Sequence, residues 1–327
     1  MLNRFNGALL AAALIALPFS VPHAAAQYPT KPVNIVVPFA AGGPTDTVAR
    51  VMAQSMTKSM GQTLIVENKP GAGGTLAAEY VAKANPEGYT ILLHHIGMST
   101  APALYRTLRY NVVESFEPIG LIADVPMTLV ARPGFPAKDF KELLAYVKAN
   151  KAKVTYANAG IGSASHLCGM LFMSAIETDL TTVPYKGTGP AMNDLLGGQV
   201  DFMCDQSTNT TSQIKAGKIK AYGVTSKTRV ASLKDIPTLD EQGLKGFEVG
   251  VWHGFYAPKG TPKPVLDKIV AALQEALKDP VVKTRFNDLG TDPVPLSQGT
   301  PAALAAHLKA EIAKWSPLIK NAGVYAD

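Results

Sequence analysis

The sequence predicts an α/β fold with a parallel, doubly wound sheet, divided over two domains. Three observations lead there. Short β-branched runs alternate with amphipathic stretches from Pro32 onward, the pattern of strands joined by crossover helices. The chain has 327 residues, more than one compact core usually serves. A hydrophobic fraction of 47% against 17% charged residues describes a well-cored globular protein and excludes a disordered one.

The elements follow in order. Residues 1–7 carry one cationic side chain, Arg4; an apolar run over 8–19 comes next, and Ala24-Ala25-Ala26 supplies an A-x-A cleavage pattern. The expectation is a secretory signal peptide over 1–26, cut after Ala26. Pro18 and Pro22 argue against a core helix there, and the apolar run is too short to span a bilayer. No cysteine stands near the cut, so there is no lipid anchor by that route. "VNIVVPF" (33–39), "TLIVEN" (63–68) and "YTILLHH" (89–95) then read as strands, with helical patterns at about 45–60 and 74–84. "PIGLIADVPMTLVARPG" (118–134), "KVTYANAG" (153–160), "TTVPY" (181–185), "VDFMCD" (200–205) and "IKAYGVTS" (219–226) continue the strands. Helical patterns at about 138–149, 163–177 and 188–196 separate the first four of these. After the loop "DIPTLDEQGLKGFE" (235–248), the strand "VGVWHGFYAP" (249–258) leads into long helical patterns at about 262–278 and 299–320. No internal repeat and no low-complexity tract marks a domain boundary.

Charge and cysteine content bound the function class. The net charge is +6, but the lysines are scattered, with no tract of basic and aromatic residues such as a nucleic-acid groove wants. Cys168 and Cys204 are the only cysteines, and in an oxidising compartment they can pair. The reading favours two buried free thiols, since Cys168 sits on an expected helix and Cys204 ends an expected strand; spacing alone does not decide. Six histidines give no metal pattern: His23 lies in the signal segment, His94 and His95 are expected on opposite faces of a strand, and the others stand alone.

Enzyme signatures are absent or incomplete. "GIGSASH" (160–166) does not fit a nucleophile elbow, and no phosphate-binding G-x-x-x-x-G-K-[ST] occurs. "GAGGTL" (71–76) has Leu76 where the third glycine of a dinucleotide fingerprint belongs, and reads as a tight turn. Ser163 and His166 stand one helical turn apart, yet no acidic partner can be assigned to orient the imidazole, and a locally bonded histidine near a helix start is the commoner case.

What recurs instead is a strand, a small or Gly-rich turn, and a helix. It occurs at "PFAAGGPTD" (38–46), "NAGIGSASH" (158–166) and "YKGTGPAMND" (185–194). Each places unpaired backbone N–H groups and the positive end of a helix dipole at the carboxyl edge of a sheet, where ligands of open α/β sheets bind. In the first turn Gly42 and Gly43 remove bulk and allow positive φ, Pro44 suits the first helical position and Thr45 adds a hydroxyl. Asp46 would repel an anion unless its carboxylate turns back to cap backbone amides. Ser163, Ser165 and Thr188 add hydroxyls in the other two turns, and Lys186 is expected in solvent.

These residues carry a resemblance. "YPTKPVNIVVPFAAGGPTDTVAR" (28–50), "VENKPGAGGTLAAEYVAKANPEGYTIL" (66–92), "ANAGIGSASHL" (157–167), "VPYKGTGPAMNDLLGGQVDFMCD" (183–205), "IKAGKIKAYGVTS" (214–226), "DIPTLDEQGLKGFE" (235–248) and "WHGFYAPKGTPKPVLDKI" (252–269) resemble, in order, the Bug or TctC-like solute-binding proteins of tripartite tricarboxylate transporters. The resemblance covers essentially the whole chain after the signal segment. It implies a two-lobed, type II periplasmic-binding-protein-like fold, each lobe a mostly parallel sheet flanked by helices, with the ligand cleft between. The first lobe would comprise 28–124 plus 248–327 and the second 125–247.

The resemblance also implies the site. One ligand carboxylate would be held by the turn from Phe39 to Thr45, including Ala41, Gly42 and Gly43, and the other by Gly162, Ser163, His166 and Thr188, with Asp205 lining the cleft. Ala41 stands where many relatives have proline. "HHIGMST" (94–100) is not a general feature of the family, so Ile96, Met98 and Ser99 are expected to shape specificity, with Phe39 and Trp252 forming an apolar slot. The implied function is a monomeric, non-enzymatic periplasmic receptor, without cofactor or metal, that captures a carboxylate and delivers it to transporter membrane subunits. A dicarboxylate is expected, either aromatic, such as terephthalate, or a linear C4 to C6 acid. A ligand-sensing subunit for a histidine kinase and a serine hydrolase using Ser163 and His166 are the alternatives.

Overall fold

Val33–Val37, four of whose five residues are β-branched and apolar, forms the strand β1, and its side chains are buried on both faces. Val33, Ile35 and Val37 pack under the helix α1 (Pro44–Met60), whose Val48, Met52 and Met56 recur at helical spacing. Val36 packs on the other face against Ala77, Ala78 and Val81 of α2 (Thr75–Ala82). Helices on both faces are what alternation of β-branched runs with amphipathic stretches predicts. The computed structural model describes residues 28–321, 323, 325 and 326, and the expected signal peptide lies outside them. Among the described residues no helix is long and apolar enough to cross a membrane.

β1 pairs in parallel with β2 (Leu64–Asn68) and β3 (Thr90–His95). After α3 (Gly97–Leu104) comes a long strand, β4 (Phe116–Ala131). The second half of the sheet contains α4 (Phe140–Ala149), β5 (Thr155–Asn158), α5 (Ala164–Ala175), β6 (Thr181–Pro184), α6 (Thr188–Leu196), β7 (Phe202–Gln206), α7 (Ser207–Lys215) and β8 (Lys220–Val224). The chain returns through β9 (Gly250–Pro258) and ends in α8 (Lys263–Lys278), α9 (Pro280–Asp288) and α10 (Pro301–Asn321).

The strand order is β2-β1-β3-β9-β4-β7-β5-β6, with β8 also on β4. β4 joins the two halves by changing partners: Phe116–Pro126 pairs with β9, and Met127–Ala131 pairs with β7 and β8. The outer strands of each half are parallel, as expected, whereas every pair made by β4 or β9 is antiparallel. These strands run between the halves, so each enters against the direction of the strands that begin there.

The expectation of free thiols is corrected. Cys168 on α5 and Cys204 on β7 form a disulfide, with Cα atoms 6.1 Å apart. α5 lies directly across β7, packing Leu167 and Phe172 around Phe202, so a helix residue and a strand residue far apart in sequence come face to face. Three helices were not predicted. α3, α7 and α9 are short, and α7 ("STNTTSQIK") buries hydroxyls in place of an apolar stripe.

Candidate functional site

Four helices begin around one cavity. Pro44 and Thr45 open α1, Ser163 to Ser165 open α5, Thr188 opens α6, and Gln206 immediately precedes α7; all of them line it. First-turn amides have no intrahelical partner and lie at the positive end of the helix dipole. Only α5 has a side-chain cap here, with the Ser163 hydroxyl accepting from the His166 amide at 3.3 Å. No lysine or arginine is among the lining residues. The cavity has a volume of about 20 Å³, room for about one water molecule and far below the ~300–1,000 Å³ usual for a ligand site, so the helix starts stand close together in this structure.

Of the residues expected at the site, Phe39, Thr45, Ser163, Thr188 and Asp205 line the cavity. Ala41, Gly42, Gly43, Gly162 and His166 stand in the surrounding turns. Gly42 has φ +80 and gives its amide to Asp46 at 3.0 Å; Gly43 has φ −86 and does not use the left-handed region. The Gly162 amide donates to His166 Nδ1 at 3.3 Å, so that imidazole is engaged locally.

Four expectations are corrected. Ile96 and Met98 are core residues and Ser99 donates to the Ile96 carbonyl at 2.7 Å, because the chain turns at once into α3 and buries this stretch. Trp252 faces the other side of β9, with its indole N–H 3.2 Å from Glu311 and its ring against His307. The neighbouring His253 is the one that reaches toward the site, 3.4 Å from the Thr45 hydroxyl. Strand alternation separates the two, and the apolar slot between Phe39 and Trp252 does not form.

His94 and His95, expected on opposite faces, touch edge to face with centroids 5.0 Å apart, because the strand ends there. His95 lines the cavity, stacked on Phe39 at 4.9 Å. Its Nδ1 accepts from the Gly97 amide at 2.9 Å, which assigns the ring proton to Nε2. Burial keeps all three histidines neutral: it lowers His94 to about 4 and His253 to about 3, and holds His95 well below the usual range, with His94 and His253 adding to the effect.

Two carboxylates flank the helix starts. Burial raises the pKa of Asp46, but hydrogen bonds from Arg50, Gly42 and Asn68 outweigh it and hold the group below its ordinary value. This is the turned-back capping role expected for Asp46. Asp205 is pushed up to about 6 by burial, offset in part by Asn209, Thr188 and the Gln206 amide. The Thr188 hydroxyl is near enough to favour that charge, yet it closes no hydrogen bond of normal geometry.

Sequence reasoning missed His95, Met127 and Gln206 on this wall. For Gln206 a signal was present: an apolar strand, "FMC", runs directly into the polar "DQST", another strand-to-helix step, without the glycine that marked the others.

The chain matches the family described as "Tripartite tricarboxylate transporter family receptor" over residues 48–324. Three solved structures are similar along nearly their whole length. The periplasmic binding protein BugD is 58% identical, with a TM-score of 0.89, covering 91% of this chain and 99% of that one. MatC from Rhodopseudomonas palustris, with bound malate, is 43% identical, with a TM-score of 0.86, covering 89% and 100%. R. palustris Rpa4515, with adipate, is 32% identical, with a TM-score of 0.86, covering 91% and 99%. The two-lobed fold and these likenesses agree, and the chain belongs to the tripartite tricarboxylate transporter family receptors, which are solute-binding proteins and not enzymes.

Proposed function

We propose that this chain is a periplasmic receptor that closes two lobes, residues 28–124 with 248–327 and residues 125–247, around a short linear dicarboxylate. It would then hand the ligand to the membrane subunits of a tripartite tricarboxylate-type transporter. The observation that carries the reading is the meeting of four helix N-termini at one cavity without a lysine or arginine. Main-chain amides, Thr45 and Ser163 hydroxyls and the neutral His95 supply donors that bind an anion in a desolvated cleft. On the proposed division the start of α1 belongs to one lobe and the starts of α5, α6 and α7 to the other. A ligand with a carboxylate at each end therefore holds both lobes, and closure follows from binding.

The position of Trp252, which leaves no apolar slot opposite Phe39, favours a linear acid over terephthalate. The malate and adipate in the two R. palustris proteins support the same length range. The A-x-A pattern ahead of the fold and the periplasmic relative support export.

A thermal-shift screen over mono-, di- and tricarboxylates, aliphatic and aromatic, tests the reading. A ligand at about a hundred times its Kd adds roughly 2.7 kcal/mol to stability, and linear dicarboxylates of four to six carbons are expected to give this shift. Equal shifts from a dicarboxylate and its monocarboxylate counterpart would overturn it.

A further inference from the structure

We propose that Asp205 and Gln206 read a hydrogen-bond donor on the ligand, so that the preferred dicarboxylate carries a hydroxyl or an ammonium group on the carbon next to a carboxylate. The inference rests on the dicarboxylate reading above and narrows it. The other polar groups on the cavity wall are donors or hydroxyls that can act as donors: the helix amides, Thr45, Ser163, Ser165 and Thr188, and the protonated Nε2 of His95. The exceptions are Gln206, whose side-chain amide both accepts and donates, and Asp205. Asp205 lies on the same wall at 1% exposure. Its Oδ1 accepts from the Gln206 amide at 2.8 Å and its Oδ2 from Asn209 Nδ2 at 2.5 Å. Each carboxylate oxygen keeps a second lone pair, and these are left for whatever fills the cavity.

A carboxylate beside a site for carboxylates is a conflict unless something lies between the two charges. Burial pushes the Asp205 pKa up to about 6, so without ligand its charge is held at a cost. A plain dicarboxylate must either face that charge or drive Asp205 to take up a proton, whereas a ligand hydroxyl or ammonium donates to the carboxylate and turns the repulsion into a hydrogen bond. Gln206 strengthens the argument. The residue lines the cavity, and its side-chain oxygen is buried and without a partner. Buried polar atoms are nearly always paired, so an unpartnered acceptor on a residue that lines the cavity is open to a ligand donor. Because β7 ends and α7 begins at this step, consecutive residues Asp205 and Gln206 both reach the cavity instead of alternating away from each other.

The test is calorimetry of the full chain with succinate, malate and aspartate, which share a four-carbon backbone and differ in the donor. Succinate is expected to bind at least ~10-fold more weakly than malate or aspartate, since a site built around a ligand donor rejects the analogue that lacks it. Malate against aspartate identifies the donor as hydroxyl or ammonium. In Asp205→Asn the ratio is expected to fall below ~3. Succinate binding as tightly as both others to the unmodified protein overturns the inference and leaves the dicarboxylate reading standing, and this arm needs no variant to fold. An unchanged ratio in Asp205→Asn also overturns it. If no dicarboxylate binds, the broader reading fails and this one with it.

Discussion

Asp205 and Asp46 are two buried carboxylates beside the same helix starts, and their surroundings set them in opposite directions. Asp46 accepts from Arg50 Nε at 2.8 Å, Arg50 Nη2 at 3.0 Å, Asn68 at 3.0 Å and Gly42 at 3.0 Å, so its charge is answered. Its pKa is lowered in the folded protein, so its contribution is present above the ordinary value near 4 and is lost as pH falls through the folded value. Asp46→Asn should cost about 1–3 kcal/mol at pH 7 in denaturant unfolding, with the difference shrinking in acid below about pH 4. Asp205 has the reverse sign. Its pKa is raised to about 6, so its contribution is present below the ordinary value and is lost as pH rises through about 6. Without ligand, Asp205→Asn should therefore melt higher than the unmodified protein at pH 7, by a few degrees for a gain of about 1–3 kcal/mol, and the gain should vanish at pH 4. An unchanged melting temperature at pH 7 would show that Asp205 is not held there against its solvation.

At the scale of elements, legibility followed the source of each element's stability. β1, α1 and α8 were readable because apolar residues at period two or at helical spacing bury them, and those periods are written in the sequence. α7 was not, because its buried face is Ser207, Thr208, Thr210 and Thr211. The Ser207, Thr211 and Thr210 hydroxyls bond to Gly290, Leu289 and Thr128, partners that only the assembled fold supplies. The candidate site divided in the same way. Thr45, Ser163 and Thr188 were legible from glycine turns, whereas His95 and Gln206 required knowing where β3 and β7 stop. The disulfide was decided by tertiary packing as well. It ties α5, which starts with Ser163 to Ser165 on the cavity, to β7, which ends with Asp205. With a sequence separation of 36, the closed loop predicts a contribution of about 3–4 kcal/mol. Cys168→Ala with Cys204→Ala should lose about that much in chemical unfolding and bind ligand more weakly as well. A loss of stability with unchanged affinity would separate the bridge from the site.

For the whole molecule, the proposed function makes closure the property on which uptake depends, and the two proposed lobes meet at backbone carbonyls. The Ala40 amide donates to the Lys186 carbonyl at 3.0 Å, and the Tyr105 hydroxyl donates to the Ile161 carbonyl at 3.1 Å. Phe39 and Ala159 border both the inner cavity and an outer one at this mouth, so a ligand reaching the helix starts must pass while these contacts are broken. Contact this close requires residues without side chains. A methyl group on Gly189 would lie 3.0 Å from the Ala41 carbonyl oxygen and 3.2 Å from the Gly43 nitrogen, and neither backbone atom can swing aside. Gly189 lies within α6 and has no positive φ, so alanine suits its local conformation and favours the helix by up to about 1 kcal/mol. Gly189→Ala should therefore leave the ligand-free melting temperature unchanged or raised while weakening ligand binding at least ~10-fold, equivalent to ~1.4 kcal/mol. Small-angle scattering should show the radius of gyration shrinking on ligand addition for the unmodified protein and not for the variant. A lower melting temperature without ligand would mean instead that the proposed lobes stay shut in the empty protein, and that closure is not what binding drives.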